Sequence, residues 1–257
     1  MHRLIRKGLV AVVCVLASVG AVPAHADGLR DDPLARFSDA LCPGVHGLSA
    51  EAASVIVSRI RNNARDLGLD LAPQTTCKPN LYVAFLDDGQ AYLERIDRET
   101  KRLAQLTTPQ RRALLNQPGP VRSWVTVAEK TLDGQPVGIR ENLVEIPRAQ
   151  AWSAHSRIYV PTRRDIVSAI VLIDRVAAEG MTFGQMADLA TLYGLTDTVP
   201  AAARTTPSIQ HLFGDGSGVE ALSSFDLAFL QRLYTLPPNL PAAAYVAGLP
   251  GVARTRD

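Results

Sequence analysis

The chain is poor in the side chains that carry out chemistry. Its 257 residues include three cysteines, five histidines and two tryptophans. Two of the histidines and one cysteine lie in the first 26 residues, leaving His46, His155 and His211 with Cys42 and Cys77. No two of these histidines are close enough in sequence to form a metal-ligand pair, and there is no C-x-x-C. A G-x-S-x-G nucleophile elbow is missing too, which argues against the commonest serine-hydrolase arrangement. The glycine-rich stretch Gly214-Asp215-Gly216-Ser217-Gly218 has no lysine after it and no strand before it, so it reads as a loop and not as a phosphate cradle.

Long apolar runs are equally scarce. The one at Leu9–Val22 has 14 residues, against roughly 20 needed to span a bilayer. Arg3, Arg6 and Lys7 precede it, and Pro23 leads into Ala24-His25-Ala26 after it. A basic start, a short apolar stretch and a small-x-small exit define a secretory signal peptide. Residues 1–26 are therefore expected to be a signal, cleaved after Ala26. Cys14 lies inside the apolar run, so it is not a lipoprotein cysteine. Removing 26 residues from 257 leaves 231, enough for a sizeable core. The expected location is periplasmic or secreted, with no integral membrane segment after processing.

An excess of charge of either sign is also lacking. Without the three basic residues of the signal, 24 basic side chains face 25 acidic ones. Such a balance lacks the basic footprint of a nucleic-acid binder, so no nucleic acid is expected as partner. The pairs Arg111-Arg112 and Arg163-Arg164 read as solvated faces. Cys42 and Cys77 form an even pair in a chain bound for an oxidising compartment, and a disulfide between them is expected. It would close a 36-residue loop, worth about 4 kcal/mol on the chain-entropy estimate.

What the sequence does contain is periodic. Asp27–Asp39 is polar and reads as a loose lead-in. Ser49 opens a helix with Ala53, Ile56, Val57, Ile60, Ala64 and Leu67 on one stripe, ended by Gly68. Leu81–Leu86 is a continuous apolar run closed by Asp87-Asp88-Gly89, the mark of a buried strand. A charged helix from about Gln90 carries Leu93, Ile96 and Leu103 inward. Another starts at Thr108-Pro109, with Thr108 as cap. Val121–Lys130 reads as a strand, Asp133-Gly134 as a hairpin turn, and Pro136 places the return on an edge. Ser156–Val160 and Ile166–Ile173 read as further strands, and the rest as largely helical. The expected fold is α/β (mixed α+β): a central sheet of about four to five strands with flanking helices and a helical C-terminal part. Residues 27–257 are expected to form a single domain.

One helix is defined at both ends. Thr182 and Gln185 have capping-box spacing, Met181 and Met186 have staple spacing, and Gly194 suits a left-handed C-terminal cap. Within it, Asp188-Leu189-Ala190-Thr191-Leu192-Tyr193-Gly194-Leu195 resembles the central helix of a proteobacterial family of exported domains of unknown function, some of whose members are described as candidate lipoproteins. That helix is zincin-like, with a pattern like H-E-x-x-Q-x-L-G-L. Two later segments follow in the family's order: Pro207-Ser208-Ile209, with Phe213 beyond it, and Leu222-Ser223-Ser224-Phe225-Asp226, leading to Leu230, Leu233 and Tyr234. The likeness runs from about Gly180 to Tyr234. A zinc site on such a helix needs two ligands one turn apart and a glutamate beside the first. Here the first ligand position is Ala187, the glutamate position Asp188 and the second ligand position Thr191. The resemblance therefore implies a degenerate, metal-free site. The plainer alternative is an amphipathic core helix with one polar face.

No catalytic, cofactor-binding or metal-ligating residue is assigned, and no cofactor. The favoured expectation is a non-catalytic binding or structural protein with an unknown envelope or extracellular partner. The alternative is a periplasmic hydrolase whose site is assembled from distant residues, such as His155 or His211 with Asp188. A third is an assembly partner, which an exposed apolar patch on Ser224–Tyr234 would favour. Asp87-Asp88 at a strand end reads as a turn, and Trp124 and Trp152 as core residues sooner than a binding surface.

Overall fold

The computed structural model describes residues 32–100, 102–137, 160–214 and 218–249. The expected signal peptide, Trp152, His155, Asp215 and all but the last residue of the strand expected over 156–160 lie outside these residues. Four strands form one sheet: β1 (Pro43–His46), β2 (Leu81–Leu86), β3 (Val121–Thr131) and β4 (Thr162–Asp174). Their order is β1-β2-β4-β3, with the first three parallel and β3 antiparallel to β4. Six helices accompany them among the described residues: α1 (Ala50–Asp66), α2 (Gly89–Glu99), α3 (Thr108–Leu115), α4 (Phe183–Gly194), α5 (Ser224–Thr235) and α6 (Ala242–Val246). The architecture is mixed α+β, as the element pattern predicts.

Strand side chains alternate between two faces. Leu81, Val83 and Phe85 of β2 and Ala169, Val171 and Ile173 of β4 share one core with α1, α4, α5 and α6. On the opposite face Trp124 and Leu172 pack with Leu93 and Ile96 of α2 and Leu114 of α3. Cover on both faces explains why β2 and β4 read as continuous apolar runs and not as alternating ones. The helix stripe read from Ile56, Ile60 and Ala64 is the buried face of α1, and the Ser49 hydroxyl caps its first turn. Gly68, at φ +81°, ends it. Asp133-Gly134 turns the chain as expected: Val137 N–H donates to Glu129 C=O, and Pro136 sits opposite Lys130 on the outer edge of β3.

The disulfide is present, with the Cys42 and Cys77 Cα atoms 6.2 Å apart. Asn80 reinforces it from the start of β2. Its side chain accepts from Cys42 N–H at 2.8 Å and donates to Ala40 C=O, and its own N–H donates to Cys42 C=O. The parallel register of β1 on β2 is thus fastened at its first residue.

Several local expectations need correction. Thr107, not Thr108, caps α3 and completes a capping box with Gln110; Pro109 still lies in the first turn. Leu103 is beyond the end of α2 but reaches the same core from a turn. Gly194 is not a left-handed cap: it is the last helical residue of α4, and a Cβ there would collide with the Leu81 side chain. The glycine permits close approach of helix and sheet instead of a backbone reversal. Arg163-Arg164 is no solvated face, because Arg163 pairs with buried Asp165 and Arg164 with Asp197. The lead-in is not loose over residues 33–37: Leu34, Ala35 and Phe37 are buried, and Arg36 bridges to Asp165 of β4.

Tyr234 ties this lead-in to the rest. Its hydroxyl donates to Leu195 C=O at 2.7 Å and accepts from Phe37 N–H at 3.3 Å. Burial pushes its phenol above the usual tyrosine range, and burial raises Tyr193 and Tyr245 likewise. The folded state therefore holds neutral phenols where an unfolded tyrosine ionises, near pH 10. Stability is full below that pH and falls as pH rises beyond it. Urea midpoints measured from pH 8 to 11.5 should drop above about pH 10, and less steeply in Tyr234→Phe. Parallel curves for the two proteins would contradict the assignment.

Candidate functional site

Helix α4 begins at the expected capping box. The Thr182 hydroxyl accepts from Gln185 N–H at 3.1 Å, and Gln185 Oε1 accepts from Thr182 N–H at 2.9 Å. The Gln185 amide also donates to Val219 C=O at 2.7 Å, tying the helix start to the segment before α5. Met186 lies in the core, and partly buried Met181 packs against that same core.

From Met186 to Leu192 every side chain of α4 is buried. Its polar residues therefore face protein, not water. Asp188 and Thr191 are both fully buried, as is Ala187. A buried carboxylate must find donors, and Asp188 finds four. Oδ1 accepts from Arg59 Nε at 2.9 Å and Asn63 Nδ2 at 2.7 Å. Oδ2 accepts from Arg59 Nη2 at 2.9 Å and Leu222 N–H at 3.2 Å. The fork of Arg59 matches the two oxygens bidentately, and its hydrogen bond to Asp188 raises the Arg59 pKa. The second proton of Asn63 Nδ2 goes to Thr191 Oγ1 at 3.0 Å, and that hydroxyl donates to Ala187 C=O at 2.8 Å.

A second knot adjoins the first. Asp226, also fully buried, accepts from Ser208 Oγ at 2.6 Å, Ile209 N–H at 2.8 Å and Ser223 N–H at 2.9 Å. Its own N–H donates to Ser223 Oγ at 3.1 Å, which completes the capping box of α5. The neighbouring N–H groups of Leu222 and Ser223 thus serve two different buried carboxylates. Pro207–Ile209, Leu222–Asp226 and α4 meet at this place.

Sequence reasoning gave no role to Arg59, Asn63 or Asp226, although Asp226 closes the family-like segment Leu222–Asp226. The spacing Ser223-x-x-Asp226 is a capping-box signal and could have revealed the last. Arg59 lies away from the apolar stripe of α1 and looks solvated in sequence; its side chain is 46% exposed, yet its fork reaches inward.

The other candidates do not converge. Among the described residues, no group of three or more His, Cys, Asp or Glu could hold a metal ion. No hydrogen bond or ion pair joins His211 to Asp188; the His211 ring lies 3.3 Å from the Gln210 amide. His46 ends β1 and is exposed. Asp88 caps α2 by accepting from Ala91 N–H, while Asp87 pairs with Arg175 at the surface. Trp124 is buried beneath α2 and α3. On α5, Leu227 is 41% exposed, but Phe225, Phe229, Leu230 and Leu233 are buried, so the helix presents no apolar patch. An open depression of about 480 Å³ lies beside Asp66, Ala228, Gln231 and Arg232, where the Arg232 guanidinium is held by the carbonyls of Tyr245 and Ala244.

Asp188→Ala should destabilise the protein by about 3 kcal/mol. It strands Asn63 and the Leu222 N–H, while half-exposed Arg59 returns to water and limits the loss. Urea unfolding of the variant checks this; a loss under about 0.5 kcal/mol, the range of ordinary surface changes, would contradict the network's structural role.

Comparison with protein-family models, with curated proteins and with solved structures gives no match.

Proposed function

We propose that this chain is an exported, non-catalytic binding or structural protein with a degenerate zincin-like core, in which the positions of a metal site have become a structural latch. The reading is carried by the saturation of Asp188, whose two oxygens accept four hydrogen bonds inside the protein. A general base needs a lone pair free for water or substrate, and this carboxylate faces donors on every side. Ala187 offers no donor atom for a metal, and the Thr191 hydroxyl is engaged by its own helix and by Asn63.

Export is supported by the basic, apolar and small-residue pattern of residues 1–26 and by the Cys42–Cys77 disulfide, a bond that persists in oxidising compartments. Among the described residues no helix is long and apolar enough to cross a membrane. The partner belongs to the envelope or the exterior in this reading.

Metal analysis tests the loss of the site. Protein purified without chelator should carry well under one zinc per chain, and EDTA should leave its thermal unfolding unchanged. One tightly held zinc per chain, released on changing His211 to Ala, would replace this reading with that of a metallohydrolase.

A further inference from the structure

One stripe of α5 faces the open depression beside the end of α1. Ala228, Gln231, Arg232 and Thr235 follow at the spacing i, i+3, i+4, i+7, which places them on a single side of the helix. Asp66 and Leu67 at the end of α1 and Leu249 beyond α6 complete the lining. The volume, about 480 Å³, lies within the range of small-molecule sites, roughly 300–1,000 Å³. No residue of α4 lines it, so it is separate from the Asp188 carboxylate.

Two opposite charges line this depression without pairing to each other. Arg232 donates from Nε to Tyr245 C=O at 3.1 Å and from Nη2 to Ala244 C=O at 2.7 Å. These carbonyls occupy one side of the guanidinium and hold it in place, but they carry no full charge to balance it. Nη1 makes no hydrogen bond among the described residues, so the end-on fork of Nη1 and Nη2 stays open. Asp66 is exposed at the C-terminal end of α1, and its carboxylate enters no hydrogen bond or ion pair among the described residues. Arg59, two turns earlier, acts on it through space. The carbonyl end of α1 adds to the negative side. Leu67 and Leu249, both buried, and Ala228 give the depression its apolar surface.

We propose that this depression binds small zwitterions with an apolar body, the chemistry of a free amino acid or dipeptide. The ligand carboxylate takes the open fork of Arg232 bidentately, its ammonium meets Asp66, and its apolar side chain covers Leu67, Ala228 and Leu249. An arginine already held by two carbonyls loses little freedom when the ligand arrives. Zinc content bears on α4 and zwitterion binding on this depression, so the two proposals fail separately.

The test titrates the purified protein with L-leucine and L-leucyl-L-leucine, followed by the NMR shifts of its backbone amides. N-acetyl-L-leucine and L-leucinamide, each lacking one charge, are the controls. Leucine or the dipeptide should saturate at one per chain and shift amides of α5 and of Gly248 and Leu249; the tighter of the two reports the separation of the charges. Leucinamide should bind about tenfold more weakly than leucine, as loss of a charged hydrogen bond implies. N-acetyl-leucine should bind about threefold more weakly, the scale of an exposed ion pair. Asp66→Asn, at an exposed helix end, should weaken leucine by that same factor and leave N-acetyl-leucine unchanged. No saturable binding of either zwitterion overturns the proposal, as do shifts confined to other parts of the chain. Equal affinity for leucine and its two blocked forms, or leucine binding that Asp66→Asn leaves untouched, overturns it as well.

Discussion

A carboxylate with no exposed surface has to be met by donors wherever the chain can bring them. Asp188 draws them from α1, through Arg59 and Asn63, and from the approach to α5, through the Leu222 N–H. Apolar packing is non-directional, whereas four directed bonds on one group fix where α1 and the segment before α5 sit along α4. Asp226 continues the same arrangement toward Ser208 and Ile209. The two carboxylates organise the polar interior of the core face on which α1, α4 and α5 cover the sheet. Ionised groups in such a place are costly unless all their bonds are made, and here the donors are assembled from three separate segments.

That demand also bears on chemistry. A residue whose lone pairs are all engaged can brace a structure but has nothing left for a reactant. The same helix surface that would have to open toward a metal is closed by Ala187 and by the Asn63 bridge to Thr191. The functional proposal rests on this polar helix face being a packed joint. Three further carboxylates that are largely buried are also paired: Asp165 binds Lys130 and Arg163, Asp174 binds Arg122 and the Gly89 N–H, and Asp197 binds Arg164 and the Ala35 N–H.

Much of the fold was legible because its signals are local. The apolar run at Leu81–Leu86, the stripe through Ile56 and Ile60, and the Thr182–Gln185 box each describe an element within a dozen residues. The pairing of Cys42 with Cys77 followed from there being only two candidates. What escaped depends on distant partners. Leu34–Phe37 sits among polar residues and looks unstructured until β4 and α5 are placed beside it. Gly194 resembles a cap in sequence, but it is explained by Leu81, more than a hundred positions earlier. Arg59 looked solvent-facing because a long side chain can start at the surface and end inside. The polar joint itself was half visible: Ala187, Asp188 and Thr191 could be named, but their partners could not, since nothing in local spacing links Asn63 to Thr191.

A double-mutant cycle on Asp188 and Asn63 tests the central claim most directly. Urea unfolding of wild type, Asp188→Ala, Asn63→Ala and the double variant gives the coupling energy between the two side chains. A joint that fixes α1 on α4 should show at least about 1 kcal/mol of coupling, with the double variant less destabilised than the sum of the single ones. Additive losses would mean that the two residues act independently, and the account of a structural latch on α4 would fail.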